Sequence, residues 1–344
     1  MKNKTKYIAP IFLFLILSIA AQIPNKLTHV TLKYPKNWPQ PNYDFTKNPL
    51  TKEGIELGRK LFYDPILSQD SIISCSSCHL SFTAFTHVDH ALSHGIRDSI
   101  GTRNSPVLIN LAWGKLFMWD GAVNHLDVQA LAPISHPAEM GENINSVVNK
   151  LRLTKRYPDL FNKVYGDSII TGERVLKSIA QFQLTLISAN SKYDKIMRNE
   201  PNINFTEQEL NGYKLFKNHC SSCHQEPLFT SGKFANNGLK IDPNLMDYGR
   251  IKITHNSKDS LLFKIPTLRN IEFSYPYMHD GRYKSLNDVI NHYSSEIYDS
   301  ETLDYRLKKG VNLTHNEKID LIAFLLTLSD KEFLFNPDFG YPRK

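Results

Sequence analysis

The four cysteines of this chain all lie in two copies of the sequence Cys-Ser-Ser-Cys-His, at residues 75–79 and 220–224. Two cysteines separated by two residues and followed at once by histidine form the pattern for covalent attachment of a c-type haem. The thiols bond to the porphyrin vinyl groups, and the histidine becomes an axial ligand of the iron. The sequence therefore predicts two haem c groups, bound by Cys75, Cys78, His79, Cys220, Cys223 and His224.

Other uses of the cysteines explain less of the pattern. A disulfide within either motif would close a very small loop, and small loops contribute little stability. A structural zinc ion also prefers cysteine and histidine ligands. A thioredoxin-like redox pair is expected within a βαβ pattern, which neither motif has. Haem attachment is the interpretation that uses every residue of both motifs, with zinc and disulfides as the alternatives.

The N-terminus has the layout of a secretory signal. Three lysines precede an apolar run from residue 8 to residue 21, which small residues close. We predict a signal peptide over residues 1–21 and a mature protein in the periplasm, with an uncleaved anchor as the alternative. Loss of these lysines lowers the formal charge of +7 by three, to about +4. No face rich in lysine or arginine is evident, so nucleic-acid binding is not expected. No later stretch is apolar enough to span a membrane after signal cleavage.

An internal repeat accompanies the two motifs. Gly-x-Lys-Leu-Phe occurs at residues 58–62 and again at 212–216, ahead of each Cys-Ser-Ser-Cys-His sequence. The repeat predicts a mainly α fold with two cytochrome c-like haem domains, residues 40–195 and 200–335, joined by loop-rich segments, with the active site near the domain interface. Helices are predicted over residues 172–190, 285–295 and 314–330, the last with Thr314 and Glu317 in capping-box spacing.

Longer motifs carry a family resemblance. The sequences RNSP (103–106), FMWDG (117–121), LDVQA (126–130) and HPAEM (136–140) occur in this order, and residues 263–293 form another long match. Together they resemble the bacterial dihaem cytochrome c peroxidases and the related MauG-like enzymes over nearly the whole mature chain.

The resemblance implies roles for particular residues. The haem on His79 would be the peroxidatic one and the haem on His224 the electron-transfer one. Glu139 matches the acid/base glutamate and Gln129 the pocket glutamine, whereas Trp119 matches the tryptophan between the haems. A carboxylate with a raised pKa suits the proton transfers that peroxide reduction needs. A surface capping role for Glu139 and simple interface packing for Trp119 are the alternatives.

The distal ligands are where this chain departs from the peroxidase pattern. For the second haem, Met278, His279, His292 and Tyr293 are candidates, and we expect Tyr293, as in the MauG-like branch, with Met278 next. For the first haem, an ungapped count places Ile96 where many peroxidases have a capping histidine. His94 is the alternative cap, with His87 and His90 nearby.

A calcium ion is also implied by the resemblance. Asn104, Ser274 and the carbonyl of Pro276 match the positions around the interdomain calcium of the family, and oxygen ligands suit this ion. No acidic ligand is evident in the sequence.

Three functions follow from these expectations. The first is a peroxidase that reduces hydrogen peroxide to water with electrons from a small periplasmic cytochrome c or a cupredoxin. The second is a MauG-like oxidase that acts on a partner protein, and the third is a plain electron-transfer cytochrome, which Glu139 and Gln129 disfavour. Dimers are common in the family, so a homodimer is a further expectation.

Overall fold

The computed structural model describes residues 26–342, so the predicted signal peptide over residues 1–21 lies outside the described residues. The fold is mainly helical. The first part of the chain contains α1 (Lys52–Tyr63), α2 (Cys75–Cys78), α3 (Leu126–Gln129), α4 (Leu131–Ser135), α5 (Ile144–Leu153), α6 (Arg156–Tyr165), α7 (Gly172–Leu184) and α8 (Lys192–Met197). The second contains α9 (Glu207–His219), α10 (Ile251–Thr254), α11 (Leu286–Ser295), α12 (His315–Leu326) and α13 (Lys331–Leu334).

Strand structure is minimal in the described chain. β1 (Phe234–Ala235) and β2 (Phe263–Lys264) pair antiparallel, with Phe234 opposite Lys264. Long connections organised by short 3₁₀ turns join the helices, above all between α2 and α3. None of the helices between residues 26 and 342 is long and apolar enough to cross a membrane.

The repeated glycine has the same packing role in both halves of the molecule. At Gly58, an added Cβ would lie 1.8 Å from the carbonyl oxygen of Ser178, so α1 and α7 cross with their backbones in contact. At Gly212, an added Cβ would lie 1.9 Å from the carbonyl oxygen of Asp320, where α9 meets α12. Only glycine permits so close an approach. The internal repeat therefore corresponds to a repeated helix crossing.

The phenylalanine of each repeat packs against the crossing helix. The ring centroid of Phe62 lies 5.3 Å from that of Phe182, and the centroid of Phe216 lies 5.1 Å from that of Phe324. All four side chains are buried. Burial of such aromatic side chains is a main source of core stability. Each crossing thus holds the helix that precedes an attachment motif against a buried core.

Most of the predicted helices are confirmed, with one correction to a helix face. Thr314 and Glu317 form the expected capping box at the start of α12. The sequence pattern predicts an apolar face of Ile319, Ile322, Leu325 and Leu326. Leu325 is buried as predicted, whereas Ile319 and Leu326 are both more than 40 % exposed, and Leu321 and Phe324 are the other buried positions. The predicted face was partly wrong because α12 is apolar on several sides, so the pattern did not select the side that meets α9.

Each half of the molecule packs a short helix into the apolar core of the other half. Tyr193 of α8 belongs to the apolar cluster around Phe216 and Phe324 in the second half. Phe333 and Leu334 of α13 belong to the cluster around Phe62 and Phe85 in the first half. Each half therefore completes its core with a segment from the other side of the junction, which couples their folding.

Replacement of Gly212 by alanine should destabilise the second half. Alanine improves helix propensity by about 1 kcal/mol, but its Cβ would displace the backbone of α12. Overpacking of this kind costs about 1–3 kcal/mol, so we expect a net decrease in the free energy of unfolding. Chemical denaturation of the haem-loaded protein measures the change.

Lys214→Ala is the matched control, because Lys214 lies on the same helix and is exposed. Its free energy of unfolding should stay within about 0.5 kcal/mol of the parent value. Equal stability of the Gly212→Ala variant and the parent would contradict the packing role of the glycine.

Candidate active site

The first attachment motif is a single helical turn that ends at a half-buried histidine. Helix α2 spans Cys75–Cys78, and His79 follows as its C-cap residue. Nδ1 of His79 lies 2.6 Å from the carbonyl oxygen of Phe85, to which it donates a hydrogen bond when it carries the proton. Burial lowers the pKa of His79 to about 4, which that hydrogen bond partly offsets. The ring is therefore neutral near pH 7, with Nε2 left to bind a metal.

Glu139 lies beside this motif, in the turn after α4. Its side chain is 31 % exposed, and Oε1 lies 4.0 Å from Nδ1 of His136. Burial raises the pKa of Glu139, whereas His136 lowers it. Besides burial, the nearby Glu139 carboxylate contributes to raising the pKa of the Cys78 thiol to about 11. The carboxyl group is thus close to the first motif and partly shielded from water.

A cavity of about 590 Å³ extends between the two halves of the molecule. Residues of the first half on its wall include Met118, Trp119 and Gln129. The second half contributes the other attachment motif, in a wall that includes Cys220, Cys223, His224, Met278 and Tyr293. The structure therefore brings two of the predicted active-site residues to the same cavity as the second motif.

Gln129 and Trp119 are both held by hydrogen bonds at this cavity. Oε1 of Gln129 accepts a hydrogen bond from Nε2 of Gln183 at 3.1 Å, and its own Nε2 lies 3.7 Å from Sδ of Met118. The indole N–H of Trp119 donates to the carbonyl oxygen of Asn104 at 2.8 Å. Within residues 26–342, no hydrogen bond joins Gln129 to Glu139, so the two side chains are positioned independently.

In the second motif, as in the first, Nδ1 of the histidine lies close to backbone carbonyl oxygens, which here belong to other segments of the chain. Nδ1 of His224 lies 3.1 Å from the carbonyl oxygen of Pro266 and 3.3 Å from that of Phe229. Burial lowers the pKa of His224 to about 4, so this ring is also neutral near pH 7. Arg306 donates from Nη1 to the carbonyl oxygen of Ser222, inside the motif.

Three of the four candidate distal ligands line the cavity that contains the second motif. Tyr293 of α11 and Met278 both line the wall that contains His224. Burial raises the pKa of Tyr293 to about 12, with smaller contributions from Cys223 and Cys220, which places its hydroxyl near the two thiols. Sδ of Met278 accepts a hydrogen bond from Nδ2 of Asn237 at 3.4 Å.

The two histidine candidates are engaged elsewhere. Nε2 of His292 lies 2.9 Å from the carbonyl oxygen of Asn237, and Nδ1 lies 3.4 Å from the hydroxyl of Tyr283. His279 stacks on the ring of Phe263 with centroids 3.6 Å apart, although it also lines the cavity. The geometry thus favours Met278 and Tyr293.

His94 lies on the loop that passes the first motif. Its carbonyl oxygen is 3.4 Å from Sγ of Cys78, and its exposed ring stacks on that of His90 at a centroid distance of 4.0 Å. Ile96, the position given by the ungapped count, is buried and donates from its backbone to the carbonyl oxygen of Glu139 at 2.8 Å. The structure therefore brings this loop against both Cys78 and Glu139.

The residues predicted around calcium all belong to the cavity wall. Asn104, Ser274 and Pro276 all line the cavity between the halves. Nδ2 of Asn104 donates to the carbonyl oxygen of Ala91 at 2.9 Å, so the side-chain oxygen is the atom left for a cation. Their oxygens suit a hard ion such as calcium.

Sequence reasoning missed the ionic contacts that join the halves. Arg103 donates to Asp120 at 2.6 Å and, through two nitrogens, to Asp247 at 2.6 and 3.0 Å. Lys264 donates from Nζ to the carbonyl oxygen of Leu116 and from its backbone to that of Trp119, both at 2.7 Å. Burial lowers the pKa of Lys264 to about 8. The position of Arg103 in the RNSP motif was the one available signal, since Asp247 is remote in sequence.

The donor sets fit haem c. All four cysteines are free thiols, arranged in pairs beside a buried neutral imidazole. The cavity wall that carries the second motif is largely apolar, with Leu286, Ile290, Leu321 and Leu325 among its residues. Zinc would need more ligands than each motif offers, because structural zinc sites have four.

Comparisons with known proteins agree with this arrangement. Residues 52–202 match the family described as di-haem cytochrome c peroxidase, and residues 209–329 match cytochrome c. The chain is 33 % identical over 298 residues to cytochrome c551 peroxidase of Nitrosomonas europaea, covering 86 % of this chain and 84 % of that protein. It is 34 % identical over 305 residues to the methylamine utilization protein MauG of Methylorubrum extorquens, covering 86 % and 82 %.

A solved structure is similar over most of its length. The crystal structure of a MauG-like protein associated with microbial copper homeostasis superposes with a TM-score of 0.83 at 30 % identity, covering 91 % of this chain and 99 % of that one. The predicted fold of two cytochrome c-type domains is confirmed. The limits 40–195 and 200–335 stay a prediction. Cytochrome c domains hold haem c covalently, and on this evidence the chain belongs to the di-haem cytochrome c peroxidase family, which includes its MauG-like relatives.

Proposed function

We propose that this protein is an exported dihaem peroxidase that reduces hydrogen peroxide to water. The observation that carries the proposal is Glu139, a carboxyl group with a raised pKa beside the first attachment motif. The reaction consumes two electrons and two protons for each peroxide and releases two water molecules. A small cytochrome c or a cupredoxin delivers the electrons one at a time, which explains the use of two redox centres.

Haem bound at Cys75, Cys78 and His79 would supply the iron at which the oxygen–oxygen bond is cleaved. Glu139 accepts a proton from the oxygen that approaches the metal and returns it to the oxygen that leaves as water. The partial burial of Glu139 suits both steps, because a raised pKa brings the carboxyl closer to the working pH. Gln129 has its amide oxygen engaged by Gln183 and its amide nitrogen 3.7 Å from Sδ of Met118, so the second N–H of that nitrogen is the donor left to orient peroxide.

Trp119 is proposed as the stepping stone for electrons between the two centres. Its indole and its backbone carbonyl are fixed by Asn104 and Lys264, one on each side of the domain boundary. A calcium ion held by Asn104, Ser274 and Pro276 would stabilise the same boundary. Export to the periplasm through the signal over residues 1–21 completes the proposal.

A second candidate is a MauG-like oxidase that uses peroxide to oxidise a partner protein. The observation in its favour is Tyr293, whose buried hydroxyl lies near the thiols of the second motif. Tyrosine ligation favours ferric iron and lowers its reduction potential. Oxidised side chains on a partner protein, with no turnover of a reduced small cytochrome, would favour this candidate over the first.

Replacement of Glu139 by glutamine should lower peroxide turnover by about 10²–10⁴-fold, because the variant keeps the shape of the side chain but cannot accept a proton. The measurement is steady-state oxidation of a reduced small cytochrome by peroxide. Glu173→Gln is the control, since Glu173 is exposed and pairs with Lys177 on a remote helix. Parent-like turnover in the Glu139→Gln variant would overturn the proposal.

The pH dependence of kcat/KM should also reflect the ionisation of Glu139. Because the carboxylate form must accept the proton, kcat/KM should fall as the pH decreases through the pKa of Glu139, which burial places above the usual glutamate value. His136 lowers this pKa, so a His136→Gln variant should move the acid limb to higher pH. If the pH range over which kcat/KM falls is unchanged in this variant, the fall is caused by a group other than Glu139.

The distal ligand of the second haem is proposed to be Tyr293. Tyr293→Phe should change the low-spin electron paramagnetic resonance signal of that haem and raise its reduction potential, whereas Met278→Leu should leave both unchanged. The two variants remove comparable groups from the same cavity wall. If the signal changed only in the Met278→Leu variant, the distal ligand would be Met278 and not Tyr293.

A further inference from the structure

A group of three side chains outside the attachment motifs has the composition of a metal site. His87, Asp89 and His90 lie on the loop that follows the first motif, and each offers one ligand atom within 4.8 Å of the other two. Nε2 of His90 is 3.4 Å from Oδ1 of Asp89. The spacing brings two imidazoles and one carboxylate together within four consecutive residues.

His87 is the residue that makes the group unusual. Its side chain is only 1 % exposed, and among residues 26–342 neither of its ring nitrogens has a hydrogen-bond partner. Nδ1 of His90 is also buried and without a partner in the described chain. A buried polar group without a partner costs about 1–3 kcal/mol. A bound cation would remove this cost at the nitrogen that it contacts, because a neutral imidazole donates one lone pair to a metal.

The protonation state of the cluster suits a metal. Burial lowers the pKa of His87 to about 4, and His90 and His79 lower it further. A second positive charge on the buried rings is thus unfavourable at neutral pH, and the neutral form that binds a metal is favoured. Asp89 supplies the negative charge, with its side chain 75 % exposed.

We propose that His87, Asp89 and His90 bind a divalent first-row transition metal ion, separate from the haem irons. Two imidazole nitrogens and one carboxylate oxygen suit Zn²⁺ and Cu²⁺, whereas Ca²⁺ and Mg²⁺ prefer oxygen ligands alone. Water completes the coordination on the exposed side next to Asp89. The order of affinities places Cu²⁺ above Zn²⁺ at such a site.

The position of the site gives the ion a structural role. The same loop continues to His94, whose carbonyl oxygen contacts Sγ of Cys78, and to Ile96, whose backbone donates to Glu139. A metal that joins His87 to His90 would fix the part of the loop that comes before these two contacts. The ion would thereby hold the segment that lies between the first motif and Glu139.

The test is a titration of the haem-loaded protein with Zn²⁺ after dialysis against a chelator and restoration of calcium. Isothermal calorimetry should show about one equivalent bound per chain. Cu²⁺ serves as a second probe, because nitrogen hyperfine structure in its electron paramagnetic resonance spectrum reports imidazole ligands. Asp89→Asn and His90→Gln should each weaken binding at least tenfold, since even changes around the ligands of a site cost about 10–100-fold.

Asp98→Asn is the matched control, because Asp98 is an exposed carboxylate on the same loop outside the cluster. His315→Gln controls for binding by exposed histidines elsewhere. Both controls should keep the parent affinity. Absence of a bound equivalent, or parent-like binding by the Asp89→Asn variant, would overturn the proposal. Since Asp89 is exposed, its replacement tests the site without disturbing the core around His87.

Discussion

Two helix crossings, each permitted by a glycine, support the rest of the structure. Because Gly58 and Gly212 let α1 and α9 touch the backbones of α7 and α12, each preceding helix is fixed before its attachment motif begins. The motif histidines then meet nearby carbonyl oxygens, Phe85 for His79 and Pro266 for His224. Covalent attachment of a porphyrin would need both thiols and the imidazole of a motif to be held in place together. The peptide framework supplies that rigidity with ordinary core packing.

Charged side chains join the two halves of the molecule close to Trp119. Arg103 bridges Asp120 and Asp247, and Lys264 holds the carbonyl oxygens on both sides of Met118. These contacts converge on the segment that carries Trp119. A buried ion pair adds little to stability and more to the selection of one arrangement of the two halves. Removal of one partner from such a pair is nevertheless costly. The boundary therefore fixes the geometry of Trp119 at the cavity, while the exchanged segments at Tyr193 and Phe333 keep the halves together.

Local sequence signals predicted the helices and their caps better than the contacts that these helices make in the fold. The capping box at Thr314 needs only neighbouring residues, and the repeated glycine is visible as a sequence pattern, although its contacts with Ser178 and Asp320 are distant in sequence. The buried side of α12 was not predictable, because Ile319 and Leu326 are as apolar as the residues that are buried. The role of Arg103 was missed for a related reason: its partner Asp247 is distant in sequence. His87 was noticed only as a neighbour of His94, and its burial without a partner became apparent from the fold.

The sequence by itself determined the chemistry of attachment, since two cysteines and a histidine at fixed spacing place their ligand atoms within one helical turn whatever surrounds them. It also determined the mainly helical fold of two similar halves, through a repeat that is visible in the sequence. Tertiary structure alone decided which distant side chains meet: Glu139 beside the first motif, Met278 and Tyr293 in the same cavity as His224, and His292 bound to Asn237 instead. The physical reason is that burial and proximity arise from packing between segments far apart in the chain, and these two quantities set the pKa and the availability of each ligand.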